Sequence, residues 1–256
     1  MNVPPLTWLY VPADRPDRVE KAIASRAHAV IVDLEDGVAA AAKEEARANL
    51  PGLLSEPREK AVFVRVVDVA DLDLVATLQI AGVILPKVER AEDVPDTRVH
   101  ALIESALGVE NAFEIASHPN VRGISLGEAD LRSQTGALEE GLDWARSRIV
   151  NAAVAAGLPR PPQSVYPHVR DLDGLARSCR RGRELGQLGR SAIHPDQLPV
   201  IEQAYLPTGN EVEQARATIE RLQEGVGTLD GGAFVDAAML GAAQQVVELA
   251  ERYGTA

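Results

Sequence analysis

Cysteine is almost missing from this chain: Cys179 is the single example in 256 residues. One thiol excludes an internal disulfide framework and leads us to expect a reducing compartment, hence the cytoplasm. Cys179 lies in a polar helical run with Arg177, Arg180 and Arg181, where a structural cysteine is expected rather than a nucleophile. Long apolar runs are missing too. None reaches the roughly 18 residues that a membrane span needs. The opening stretch MNVPPLTWLYVPADR has neither a charged n-region nor a long apolar h-region, so no signal peptide is expected. Basic blocks are absent, and 26 Lys and Arg against 38 Asp and Glu leave a net charge of −12. A nucleic-acid surface is therefore not expected, although an anionic substrate remains compatible if arginines gather at one site.

What is present is an ordinary globular composition, 46% hydrophobic and 25% charged. Short apolar runs alternate with helical patterns. The strand candidates are Trp8–Val11, Ala29–Leu34, Ala61–Val67, Gly82–Val88, Ala101–Glu104, Val121–Gly127, Gln163–Tyr166 and Arg190–Ile193. Helical spacing falls on Pro16–Ser25, Ala40–Leu54, Asp71–Ile80, Ala91–Val94, Gly108–Ala116, Leu142–Ala156, Leu172–Leu185 and Leu198–Ala204. Eight such units predict a (β/α)8 TIM barrel over residues 1–206, with a doubly wound open sheet as the alternative. Residues 207–256 read as a C-terminal helical extension: a polar amphipathic helix over Glu211–Glu224, a Gly-rich break at Gly225–Gly232 and a last helix over Ala237–Arg252. That extension is expected to cover a barrel end or to reach a neighbouring subunit.

In such a barrel the residues just beyond the C-terminal ends of the strands share one rim. Here they are Asp14 and Arg15, then Asp33, Glu35 and Asp36, then Arg65, Lys87 and Glu89, Glu104, Glu128 and Asp130, His168 and His194. Acids dominate, without cysteine or closely spaced histidines, which disfavours zinc. A hard cation such as Mg²⁺ suits a few carboxylates and keeps positions for water and substrate oxygens. We expect it between Glu104 and Asp130. Arg65 offers a planar fork for a substrate carboxylate. Together these residues describe a site that makes or breaks a C–C bond beside a carbonyl. Blander readings stand beside this one. Glu104 could be ion-paired with Arg65 or Lys87, Asp130 could cap a helix, Glu35 and Asp36 could hold only waters, and His194 could be structural. Lys87 at a strand end also allows a Schiff-base aldolase, and Arg15 could face a phosphate.

The motifs LYVPADRPDRVEKA, AVIVDLEDGVAAAAKEEAR, VFVRV, GVILPKVERAEDV, ALIESALGVENAFEIA, GISLGEADL, ARSRIV and AIHPDQLPVIEQAY, in this order, resemble the citrate lyase β-subunit-like family, with its relatives acting on malyl-CoA and citramalyl-CoA. The resemblance runs from about Leu9 to Tyr205. It implies a (β/α)8 barrel, usually a trimer or hexamer, that binds Mg²⁺ and cleaves hydroxyacyl-CoA thioesters. By motif it makes Glu104 and Asp130 the metal ligands, gives Arg65 and Glu104 contacts to the substrate acid, and sets Glu35 and Asp36 behind the metal waters. Three positions depart from the family pattern: Val67 replaces an Asn, the segment Asp68–Ile80 is short, and Gly241 stands where relatives carry an Asp that serves a neighbouring subunit. The expected function is a Mg²⁺-dependent carbon–carbon lyase on a CoA thioester. The alternatives are a metal-dependent aldolase on free hydroxy or keto acids, and a non-catalytic homologue that retains the metal site.

Overall fold

The computed structural model describes residues 3–223, 227–228 and 234–256. Seven strands form one sheet: β1 (Thr7–Pro12), β2 (Ala29–Asp33), β3 (Ala61–Arg65), β4 (Gly82–Leu85), β5 (Val99–Ile103), β6 (Val121–Leu126) and β7 (Arg190–Ala192). The order is β6-β5-β4-β3-β2-β1-β7, with every pair parallel. Parallel neighbours need crossovers, and helices such as Pro16–Ala24, Lys43–Leu54 and Ala112–Ser117 supply them.

Of the eight expected strands, seven form in this sheet among the described residues. Where a strand was predicted at Gln163–Tyr166, the structure has a single bridge between Gln163 and Arg190. Pro161 and Pro162 precede it and Pro167 follows, and proline brings no amide donor to a ladder. The remaining link, to β6, is made by a side chain. Ser164 Oγ donates to the carbonyl of Leu126 at 2.9 Å and accepts the Glu128 N–H at 3.2 Å.

Strand alternation sorts the side chains into two sets. Trp8, Ala29, Ile31, Ile84 and Leu102 make one buried cluster on the concave face, joined by Tyr10, Ala61 and Phe63. The opposite parity (Val30, Val32, Val62, Val64, Ala101, Ile103, Ile124 and Leu126) is at most 1% exposed. A parallel sheet covered on both faces reads as continuous apolar runs, which is why these strands were legible.

Two helical expectations change. The segment predicted helical over Asp71–Ile80 forms only the short turns Val69–Asp71 and Leu72–Val75. Gly108–Ala116 divides at Asn111 into Ala106–Glu110 and Ala112–Ser117, and the Asn111 amide donates to the Glu89 carbonyl at 2.9 Å.

The chain separates into two compact units, one spanning Pro4–Ile201 and the other built mainly from Glu202–Ala256. Within the second, the helices Gly209–Gln223 and Leu240–Tyr253 pack together, burying Val212, Ala215, Ala243 and Leu249. A two-residue antiparallel pairing joins β8 (Gly227–Thr228) to β9 (Phe234–Val235). The rest of the Gly-rich break lies outside the described residues. Among the described residues no helix is long and apolar enough to cross a membrane.

Candidate metal and substrate site

The parity that buries Trp8, Ile31, Phe63 and Leu102 continues two residues further to Tyr10, Asp33, Arg65 and Glu104. Polar groups thus crown an apolar floor at the C-terminal ends of adjacent strands. They line a cavity of about 370 Å³, together with Asp36, Ser125, Gly127, Asp130, Ser164, Ser191 and others.

Arg65 is held in a fixed pose. It donates through Nε and Nη2 to the two oxygens of Asp33, both at 2.7 Å, the bidentate geometry in which such pairs are strongest. Asp33 and Arg65 are register partners on β2 and β3, so the sheet sets this pairing. Asp33 also accepts the N–H groups of Glu35 at 2.9 Å and Gly37 at 2.8 Å, which curls the following loop around it. A Cβ at Gly37 would sit 2.5 Å from Asp33 Oδ2, so this loop needs glycine there. Sequence reasoning placed Asp33 on the rim without a role. Its position across from Arg65 in the strand register was the available signal.

Glu35 is 3% exposed and bridges two cations, Arg65 Nη1 at 2.7 Å and Lys87 Nζ at 2.7 Å. Asp36 lies outside, 64% exposed and 3.7 Å from Arg65 Nη1. Lys87 takes φ 57°, the one non-glycine residue with positive φ among those described. That twist directs its N–H to Glu104 Oε2 at 3.0 Å while its side chain returns to Glu35. The committed Lys87 ammonium is an ion-pair partner, which removes support for the Schiff-base reading.

Glu104 is 6% exposed, and no arginine or lysine side chain pairs with it in the described structure. Burial, followed by the nearby charges of Glu35 and Asp130, pushes its carboxyl up to about 7. Gly127 makes room for it, since a Cβ there would lie 2.4 Å from Glu104 Cγ. Asp130 faces the same cavity from the first turn of the helix Glu128–Thr135, whose N-cap is Gly127, so Asp130 does not cap that helix. Neighbouring Glu128 is spoken for: Arg146 clamps both its oxygens at 2.8 and 2.6 Å. His194 accepts the Asp196 N–H at 3.2 Å, a structural turn contact. Arg15 is exposed beyond β1 and makes no side-chain hydrogen bond or ion pair among the described residues.

Around the cavity, besides the Glu128–Arg146 pair, five carboxyl groups (Asp33, Glu35, Asp36, Glu104 and Asp130) meet two cations, Arg65 and Lys87. That excess of negative charge repels an anionic substrate unless a cation enters first. Among the described residues no three acidic, histidine or cysteine side chains converge tightly enough to cage an ion by themselves. Two carboxylates with space left for water and substrate oxygens is instead the donor set that suits Mg²⁺. Residues and ion fit. In the C-terminal unit, Asp236 caps the turn Ala237–Met239 through the Ala238 N–H at 3.0 Å, and the Gly241 position has open space beside it.

The family model HpcH/HpaI aldolase/citrate lyase matches residues 6–195. A curated relative from Cereibacter sphaeroides, named (3S)-malyl-CoA thioesterase, is 35% identical and aligned over 87% of each chain. The structure of CitE from Mycobacterium tuberculosis in complex with magnesium, acetoacetate and coenzyme A superposes with a TM-score of 0.84, at 32% identity, covering 98% of this chain and 99% of that one. A citrate lyase β subunit from the same organism, complexed with oxaloacetate and magnesium, gives a TM-score of 0.72 at 35% identity, over 79% of this chain and 97% of that one.

Proposed function

The chain belongs to the HpcH/HpaI aldolase/citrate lyase family, and from this we propose a Mg²⁺-dependent carbon–carbon lyase that cleaves a 3-hydroxyacyl-CoA thioester, such as malyl-CoA or citramalyl-CoA, into an acyl-CoA and a small oxo acid. One observation carries the reading: the buried Glu104 carboxyl lacks a cationic side-chain partner and looks across a cavity at Asp130. A buried acid without a counter-charge is expensive, and a divalent ion shared with Asp130 removes that cost. The two M. tuberculosis structures complexed with magnesium support the same ion here.

When bound between these carboxylates, Mg²⁺ supplies Lewis-acid polarisation of substrate oxygens. The chain's own residues do the rest. Arg65, locked by Asp33, presents its outer N–H groups to the acid end of the substrate. Glu35 holds Arg65 and Lys87 in place rather than touching substrate, and Asp36 faces the water side. Exposed Arg15 is the cation we assign to the phosphates of the thioester. The apolar floor excludes water from the carbons being separated. We further read the curled sheet as a (β/α)8 barrel whose eighth position is the Gln163 bridge, extended by a separate helical segment over 207–256 and acting in the cytoplasm as a homotrimer or hexamer.

A second reading, hydrolysis of the thioester, is favoured by the name of the C. sphaeroides relative. Product analysis decides between them. Incubated with malyl-CoA and Mg²⁺, a lyase releases glyoxylate and acetyl-CoA, whereas a thioesterase releases malate and free CoA thiol. Neither set of products, with free 4-hydroxy-2-oxo acids cleaved instead, would move the site to an aldolase. Turnover that survives complete removal of divalent ions would sink the metal assignment.

A further inference from the structure

Arg65 cannot hold an acid alone. Of the five N–H groups a guanidinium carries, three are committed to Asp33 and Glu35, and its charge is offset by the same two carboxylates. A substrate carboxylate entering this field needs another donor, one that is not already neutralised. The hydroxyls that line the cavity are those of Tyr10, Ser125, Ser164 and Ser191. Ser164 is occupied as both donor and acceptor. Ser125 shares its hydroxyl with His100 Nε2 at 3.0 Å. Ser191 is the register partner of Trp8, one layer below the level of Tyr10 and Arg65. Tyr10 remains. Its ring lies 5.1 Å from the Arg65 guanidinium, and its hydroxyl has no hydrogen-bond partner among the described residues.

We propose that the Tyr10 hydroxyl is a substrate-positioning donor, which with the outer edge of Arg65 forms a clamp for the carboxylate of the small oxo acid. The inference rests on the lyase reading above. Burial pushes the phenol further above its usual range, so the group is an O–H donor at neutral pH. The ring under Arg65 fixes the aim of that donor, and the clamp selects acids whose carboxylate reaches the β1–β3 side of the cavity. Along β1 Tyr10 is less buried than Leu9 and Val11 on either side of it, and its place in the cavity wall is what shows the hydroxyl unpartnered.

Tyr10→Phe tests the proposal, because it keeps the ring beneath Arg65 and deletes only the hydroxyl. Three quantities are compared with the unmodified protein by calorimetry: affinity for Mg²⁺ alone, affinity for glyoxylate or pyruvate at saturating Mg²⁺, and Tm. The expected result is oxo-acid binding weaker by about ten- to hundredfold, the loss that follows removal of a hydrogen bond to a charged group, with Mg²⁺ affinity and Tm unchanged. Unaltered oxo-acid binding in the variant overturns the proposal. So does a parallel drop in Mg²⁺ affinity or Tm, which would make Tyr10 a packing residue. If the unmodified protein binds Mg²⁺ but none of these acids, the lyase reading falls and takes the clamp with it.

Discussion

Two glutamates end up buried at the tips of adjacent strands, and their fates differ. Glu104 follows β5 and is 6% exposed; Glu128 follows β6 and is 8% exposed. Glu128 receives a fork from Arg146, itself 2% exposed and further tied to Glu139 at 2.6 Å and Asp143 at 3.0 Å. Glu104 receives one backbone N–H from Lys87, and its carboxyl is driven up to about 7 by burial first and neighbouring acids second. Glu128 is thus neutralised within the chain, while Glu104 has no cationic side-chain partner among the described residues. Burial alone therefore does not mark a functional acid. Burial without a counter-charge does.

Neutralising either glutamate separates the two roles. Glu104→Gln should have the largest effect: turnover down roughly a thousandfold and Mg²⁺ binding abolished, the scale expected when a metal's charge stabilisation is lost. Its Tm should hold or rise, because an unpaired buried charge has been removed. A Glu104→Gln protein that still binds Mg²⁺ with full affinity overturns the assignment. Glu128→Gln should do the opposite, lowering stability by about 2 kcal/mol in urea unfolding, since the charge-assisted fork from Arg146 is weakened while Glu139 and Asp143 still pair with that arginine, and leaving Mg²⁺ affinity within about twofold. If both variants lose metal and stability alike, the division of labour is wrong.

Burial also acts at the other end of β5. It draws the His100 imidazole down to about 4, the mirror image of its effect on Glu104. The sign is fixed by proton counting. Between pH 6.5, the ordinary value, and about 4, the unfolded chain binds a proton that the folded chain refuses. The neutral imidazole's contribution is thus complete above pH 6.5 and is lost as pH falls toward 4. We expect acid to cost roughly 3 kcal/mol through this group by pH 4. His100→Asn should flatten that part of a pH series of urea midpoints, and an unchanged acid limb would rule His100 out as the cause.

Gly127→Ala should come next, with Mg²⁺ affinity lowered about tenfold and roughly 1 kcal/mol of stability lost, because the added methyl must push the Glu104 side chain aside. Asp36→Asn should change stability by less than about 0.5 kcal/mol, as exposed ion pairs generally do.

Much of this was legible in the residues. Seven of the eight proposed strands form, six of them as runs of four to six mostly apolar residues to which a doubly covered sheet leaves little alternative, the seventh as the three-residue Arg190–Ala192. Glu104 and Asp130 do meet one cavity, as adjacent strand ends must. The eighth strand failed at a level that pattern reading does not weigh, the supply of amide donors around Pro161, Pro162 and Pro167. The counter-charges were hidden for another reason. Arg146 lies 18 residues beyond Glu128 on the helix Asp143–Ala155, and Asp33 is 32 residues from Arg65. No local spacing announces such pairs, so the sequence displays a row of acids without saying which are already satisfied. Tyr10 was hidden in the same way, as an aromatic in a strand that could have been only core.

Lys87 limits how freely this protein can drift in sequence. Its left-handed backbone admits glycine or asparagine readily and β-branched residues hardly at all, yet glycine and asparagine lack the ammonium that reaches Glu35. Backbone and side chain thus vote for different replacements, and few residues satisfy both. A saturation library at this one codon should return a short list, with arginine the foremost survivor and glycine folding but inactive. Positions such as this one limit how far a lineage can wander while its metal pocket keeps its shape.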